Sequence, residues 1–233
     1  MKGVRPLQNY EIEKVCQCFE GKYEVRNRSL FLLGVSVGGR ISEMLALKIE
    51  DVWQNNKPVS DLLFRKNTVK GKKHARAVPV NIDGRQAITD LIRWYQSWKT
   101  FRKSMPLFVS REGENMPLGR RAADRILNSA FTKAGLNGKL GTHTLRKSYA
   151  QRLYGITGDI YAVKEMLGHQ SLNTTQKYLG VDYSSVRQAS ELMAIGSKQA
   201  ERTKPLYKAN DHELLVEMAR RGYDITELHS HKP

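Results

Sequence analysis

Residues 141–150 read GTHTLRKSYA. The segment has the form of a helix start, with His143 and Arg146 three residues apart and therefore on one face. An imidazole beside a guanidinium suits a site that handles a proton and an anion together. Alone, the pair also fits a polar residue at a helix start and a solvated arginine one turn on. The remaining sequence decides between these readings by whether it brings matching chemistry to the same place.

Charge is the first guide. The 233 residues hold 39 Lys and Arg against 23 Asp and Glu, a formal net charge of +16. Such an excess points to a polyanionic partner, with nucleic acid as the default. Hydrophobic residues make up 40% of the chain, enough for a real core, which argues against wholesale disorder. Cys16 and Cys18 are one residue apart on a predicted helix, poorly placed to bridge and without the companions of a zinc site. They read as reduced thiols, and a cytoplasmic setting is expected. No apolar run reaches spanning length and no signal-peptide core opens the chain, so no membrane is expected.

Periodicity predicts a mainly helical chain with one small antiparallel sheet, an α+β class. Helices are expected over 7–20 and 26–37, the second apolar nearly all round and so buried. Gly38 and Gly39 break that pattern, and Ile41, Leu45 and Leu47 resume it. Residues 59–82 carry short β-prone runs around a basic centre, read as two or three strands with a hairpin at Lys70–Lys73. Helices follow over 83–100, capped by Asp83, then over 119–134 and 143–154. Another starts at Asp159 and is stopped by Gly168. Two more polar helices are expected at 184–199 and 211–222.

Along this framework stand Arg40 after the Gly-Gly break, a lysine of the basic hairpin, His143 with Arg146, His169 in LGHQS, and Tyr178 in TTQKYLG. Each has an ordinary explanation by itself. As an ordered set, with GGRISEMLAL, KGKKHARAVPV, THTLRKSYA and LGHQSLNTTQKYL as local contexts, they resemble the catalytic domain of the tyrosine recombinases, or phage-type integrases. The resemblance runs from about Arg5 to Val186.

That resemblance implies a site-specific DNA recombinase. It would cleave and rejoin double-stranded DNA through a 3′-phosphotyrosine intermediate, with no metal, ATP or other cofactor. Tyr178 would be the nucleophile. Arg40 and Arg146 would hold the non-bridging phosphate oxygens, a task that suits a permanently charged, forked guanidinium. His143 would assist removal of the tyrosine proton, and His169 would orient a phosphate oxygen. The general acid would be Lys70, with Lys72 as the alternative because the loop is one residue longer than the family form. Glu43, in RISE, is read as holding the Arg40 region in place. Lys72, Lys73, Arg76 and Lys147 are read as contacts to DNA.

The resemblance also implies a homotetramer on DNA, with accessory DNA-bending proteins possible, and a prokaryotic, phage or mobile-element origin. The expected organisation is a catalytic domain over 1–187 and a helical extension over 188–233, either exchanged between subunits or packed within its own, without the family's N-terminal core-binding domain. Two other activities stay open at this level. One is a type IB topoisomerase, which uses the same chemistry. The other is a DNA-binding regulator without strand cleavage, since residues 159–180 have a helix-turn-helix rhythm and LNTTQKY could be the reading helix. A metal-dependent nuclease would need clustered carboxylates, and the sequence offers none.

Overall fold

A computed structural model describes residues 3–64, 75–113, 115–179 and 190. The chain divides into two compact units, Met1–Gly180 and Val181–Pro233, and the description concerns the first. The hairpin reading with Lys70, Lys72 and Lys73, and the helices expected at 184–199 and 211–222, lie outside the described residues. Among the described residues, no helix is long and apolar enough to cross a membrane.

The unit is built around helix α2 (Glu24–Val37), preceded by α1 (Asn9–Cys16). The sequence of α2 is apolar nearly all round because two cores meet on it. Leu30, Leu33 and Val37 face one core, with Ile88, Leu91, Ile92 and Tyr95 of α5 (Ile82–Gln96). Phe31 and Val35 face the other, with Val15 and Phe19 at one side and Leu127, Phe131 and Leu145 at the other. Each such side chain contributes about 1.5–3 kcal/mol through burial. Leu127 and Phe131 belong to α6 (Arg120–Lys133), and Leu145 to α7 (Thr142–Thr157). Gly34 permits the close approach of α7, since a Cβ there would lie 2.6 Å from a Leu145 methyl carbon.

Between α2 and α5 run two short helices, α3 (Ile41–Leu45) and α4 (Ile49–Val52), and two antiparallel ribbons. Strand β1 (Trp53–Gln54) pairs with β2 (Lys57–Pro58) across Asn55 and Asn56. Both asparagines have positive φ, the conformation of a tight hairpin turn, and Asn tolerates it better than most residues. Strand β3 (Asp61–Phe64) pairs with β4 (Arg76–Pro79), placing Leu62 opposite Val78 and Phe64 opposite Arg76. The described residues thus hold two two-stranded ribbons where one sheet was expected.

Helix α5 begins at Asn81, whose side chain accepts from the Gly84 N–H at 2.9 Å. Asp83, expected as the cap, lies inside the first turn instead. Helix α8 (Ile160–Leu167) starts at Asp159, which accepts from Tyr161 and Ala162, and ends at Gly168 with φ of 59°. Both ends match the sequence reading. Helix α9 (Leu172–Leu179) follows. A third, smaller core of Ala150, Val163 and Leu167 holds α7, α8 and α9 together and receives Tyr178 and Leu179.

Candidate active site

Four segments converge where α2 ends. Gly38 caps α2 in the left-handed conformation, and Arg40 is the residue before α3. A Cβ on Gly38 would lie 2.3 Å from the Tyr149 ring, and one on Gly39 would lie 2.9 Å from Phe64. The glycine pair therefore lets this turn sit directly against α7 and β3. The carbonyl of Gly38 accepts from Arg146 Nη1 at 2.6 Å, and that of Leu167 accepts from Nη2 at 2.6 Å. Arg146 is 1% exposed and ties the α2–α3 turn to the end of α8. Its Nε is buried without a hydrogen-bond partner. Burial, and then the charge of Arg40, push its pKa down to about 10, so it remains cationic at neutral pH.

Glu43 organises the positive groups. Its carboxylate accepts from the Arg40 N–H at 2.8 Å and from Arg40 Nη1 at 2.9 Å. It also accepts from Arg76 Nη2 at 2.6 Å and Nη1 at 3.2 Å. Burial alone would raise this carboxyl, but bonding and charge from Arg76, then Arg40, hold it at about 2. Glu43 thus bonds both the backbone and the guanidinium of Arg40. Arg76 requires a different reading from the DNA contact expected of it. Its side chain is 9% exposed, its Nε donates to the Met166 carbonyl at 3.0 Å, and its guanidinium lies 4.4 Å from the Phe64 ring centre. Hydrogen bonding and stacking commit it to the interior.

His143 sits in the first turn of α7, one turn before Arg146, and is exposed. Its Nδ1 lies 3.4 Å from the Tyr178 hydroxyl, which reaches it from α9, 35 residues away. Desolvation first, then the charges of Arg120, Arg146, Arg40 and Lys147, lower its pKa below the usual imidazole value. A neutral imidazole can accept a proton from the phenol. His169 follows the glycine that ends α8 and is buried; its Nδ1 lies 3.0 Å from Thr175 Oγ1. The His169 and Tyr178 rings meet edge to face, with centroids 5.0 Å apart. The Lys147 ammonium lies 5.7 Å from the Tyr178 ring centre.

The structure thus gathers Arg40, Glu43, His143, Arg146, His169 and Tyr178 into one region. Sequence reasoning missed Thr175, which fixes the His169 ring, and Arg120, whose charge acts on His143. The basic run GRR at the start of α6 was the available signal for Arg120. Thr175 carried none beyond its place in TTQKY.

A profile of the Phage integrase family matches residues 5–185. The chain belongs to that family. As a phage integrase family member, it is 34% identical over 164 residues to tyrosine recombinase XerC of Chromobacterium violaceum, covering 70% of this chain and 51% of that protein. It thus spans about half the length of that relative. It is also 33% identical over 190 residues to the probable integrase/recombinase YoeC of Bacillus subtilis, covering 81% of this chain and 96% of YoeC. Among solved structures, XerA recombinase matches with a TM-score of 0.67 at 22% identity, over 83% of this chain and 67% of that one, a likeness of fold. XerH recombinase bound to a palindromic difH substrate, a post-cleavage complex, matches with a TM-score of 0.64 at 26% identity, over 82% of this chain and 54% of that one.

Proposed function

We propose that this phage integrase family chain is a site-specific DNA recombinase that breaks and rejoins DNA through Tyr178. The single observation that carries the reading is the 3.4 Å approach of the Tyr178 hydroxyl to His143 Nδ1, beside the buried Arg146. At 3.4 Å this contact is longer than the roughly 2.6–3.2 Å of a productive proton transfer, as apo catalytic hydrogen bonds commonly are. The charge pattern supports the same reading. Glu43 pairs with Arg40 and Arg76, while Arg146 donates to two carbonyls, so the cluster keeps a positive excess suited to a phosphodiester.

In the proposed reaction the Tyr178 oxygen attacks phosphorus in line while His143 takes the phenol proton. The bond to the 5′ oxygen breaks as the phosphotyrosine ester forms. The departing 5′ oxygen takes a proton from a hairpin lysine, Lys70 or Lys72. Arg40 and Arg146 stabilise charge on the non-bridging oxygens, and His169, held by Thr175, orients one of them. The reverse sequence rejoins the strand, because the ester conserves the energy of the broken bond. Double-stranded DNA is the substrate, and a tetramer assembled on it performs exchange.

A regulator that only binds DNA is disfavoured by α9. The proposed reading helix spends Thr175, Tyr178 and Leu179 on His169 and on the third core. A nicked suicide duplex separates the two readings. The unmodified protein is expected to form a covalent adduct that is stable to denaturation, insensitive to EDTA, and absent in Tyr178→Phe. Retention of the adduct in Tyr178→Phe, or tight binding with no adduct in the unmodified protein, overturns the proposal.

A further inference from the structure

A helical threonine commonly turns its hydroxyl back to the carbonyl one turn before it. Thr89 and Thr157 do so, donating to the Arg85 and Leu153 carbonyls at 2.8 and 2.9 Å. Thr175, in α9, does not. Among the described residues its Oγ1 has one hydrogen-bond partner, His169 Nδ1, at 3.0 Å. Thr175 is fully buried and His169 nearly so, which closes this contact to water.

Counting hydrogens gives the bond a direction. A hydroxyl carries one hydrogen, and a neutral imidazole carries one on either ring nitrogen. With the ring hydrogen on Nδ1, the hydroxyl would accept, and its own buried hydrogen would meet no acceptor among the described residues. With the hydroxyl donating, both groups are satisfied. An unmade hydrogen bond in the interior is costly, so the second arrangement is favoured. Nδ1 is then the acceptor. The ring hydrogen sits on Nε2, on the side of the ring turned away from Thr175.

The surroundings hold the ring in that pose. The His169 N–H donates to the Lys164 carbonyl at 3.0 Å, directly after the left-handed Gly168. The Tyr178 ring meets the imidazole edge to face. Thr175 and Tyr178 stand three residues apart on α9 and share its face, so one helix delivers both the nucleophile and the partner of the imidazole. Two guanidiniums already hold the end of α8, Arg76 at the Met166 carbonyl and Arg146 at the Leu167 carbonyl. A neutral N–H beside them supplies a hydrogen bond without a third cation.

We propose that Thr175 is a positioning residue for strand cleavage: by donating to Nδ1 it keeps His169 in the tautomer with its hydrogen on Nε2, which then donates to a non-bridging phosphate oxygen. The inference rests on the role given to His169 in the proposed recombinase reaction. In the opposite tautomer, Nε2 would turn a lone pair toward the phosphate and repel it.

Nitrogen-15 NMR of the full chain, without DNA, reads the tautomer, because protonated and unprotonated imidazole nitrogens resonate far apart. His169→Gln identifies the signal. The unmodified protein is expected to show an unprotonated Nδ1 and a protonated Nε2. Thr175→Ser keeps that signature, and Thr175→Val, which keeps the shape and removes the hydroxyl, loses it. On the nicked suicide duplex at saturating protein, Thr175→Val should form the adduct about a hundredfold more slowly, the effect of losing one donor to developing charge, with duplex affinity unchanged. Thr175→Ser should restore most of the rate. A protonated Nδ1 in the unmodified protein, an unaltered tautomer or an unaltered rate in Thr175→Val, or equal slowing in the valine and serine variants overturns the proposal. If Thr175→Val does not fold, the tautomer of the unmodified protein and of Thr175→Ser still decides. The NMR signature needs no cleavage, so its failure leaves the Tyr178 adduct result standing, and the reverse also holds.

Discussion

Glu43 is a buried carboxylate that two guanidiniums keep ionised, and its pH dependence follows from that. The drop from 4.5 in a free side chain to about 2 here corresponds to about 3 kcal/mol. Because the folded value lies below the unfolded one, this stability is fully present above pH 4.5. It is lost as pH falls from there toward 2. Urea unfolding at pH 7 and pH 3 should show a fall in the unmodified protein, and in Glu43→Gln a lower stability at pH 7 with a smaller fall. An equal fall in both would separate Glu43 from acid sensitivity. His143 is also lowered, by desolvation and then by neighbouring cations, and for a base that favours the neutral form. Adduct formation should therefore fall with acid only below the usual imidazole range, and Arg120→Ser should move that acidic limb upward. The residue types at this site were legible in the sequence, because arginine, histidine and tyrosine carry their chemistry wherever they sit. The inward turn of Arg76 was not, since its Glu43 partner lies 33 residues away.

At the scale of elements, the α2–α3 turn does most to align the site. Gly38 has a φ of 59° and faces the Tyr149 ring, so any side chain there meets both backbone strain and a clash. Gly38→Ala should cost about 2–4 kcal/mol, the sum of a left-handed alanine and a displaced ring. It should also slow adduct formation, because the Gly38 carbonyl positions Arg146. Chemical denaturation and single-turnover cleavage check the two effects separately. Sequence periodicity captured α1, α2 and α5 to α7, and the cap and glycine stop captured the shorter α8. The β1–β2 ribbon was missed because two residues per strand carry no alternation. The cap of α5 was misplaced because Asn81 and Asp83 are both capping residues. Only the reach of Asn81 to the Gly84 N–H distinguishes them.

For the whole molecule, a net charge of +16 sets the terms of association. Duplex binding should weaken steeply with salt. Four neutralised phosphates would give about a hundredfold loss between 50 and 200 mM. A near-flat dependence in fluorescence anisotropy titrations would leave the basic surface without that role. The sequence by itself determined the class of the fold and the order of the polar groups, Arg40, His143, Arg146, His169 and Tyr178. Helical periodicity, glycine stops and asparagine or aspartate caps are local, and side-chain chemistry needs no fold to be read. Only the tertiary structure decided that Glu43 serves two arginines and that Thr175 holds His169. It also brought the Tyr178 hydroxyl to His143. Most of these contacts join separate segments, and all depend on how helices with two buried faces pack, which no local repeat encodes.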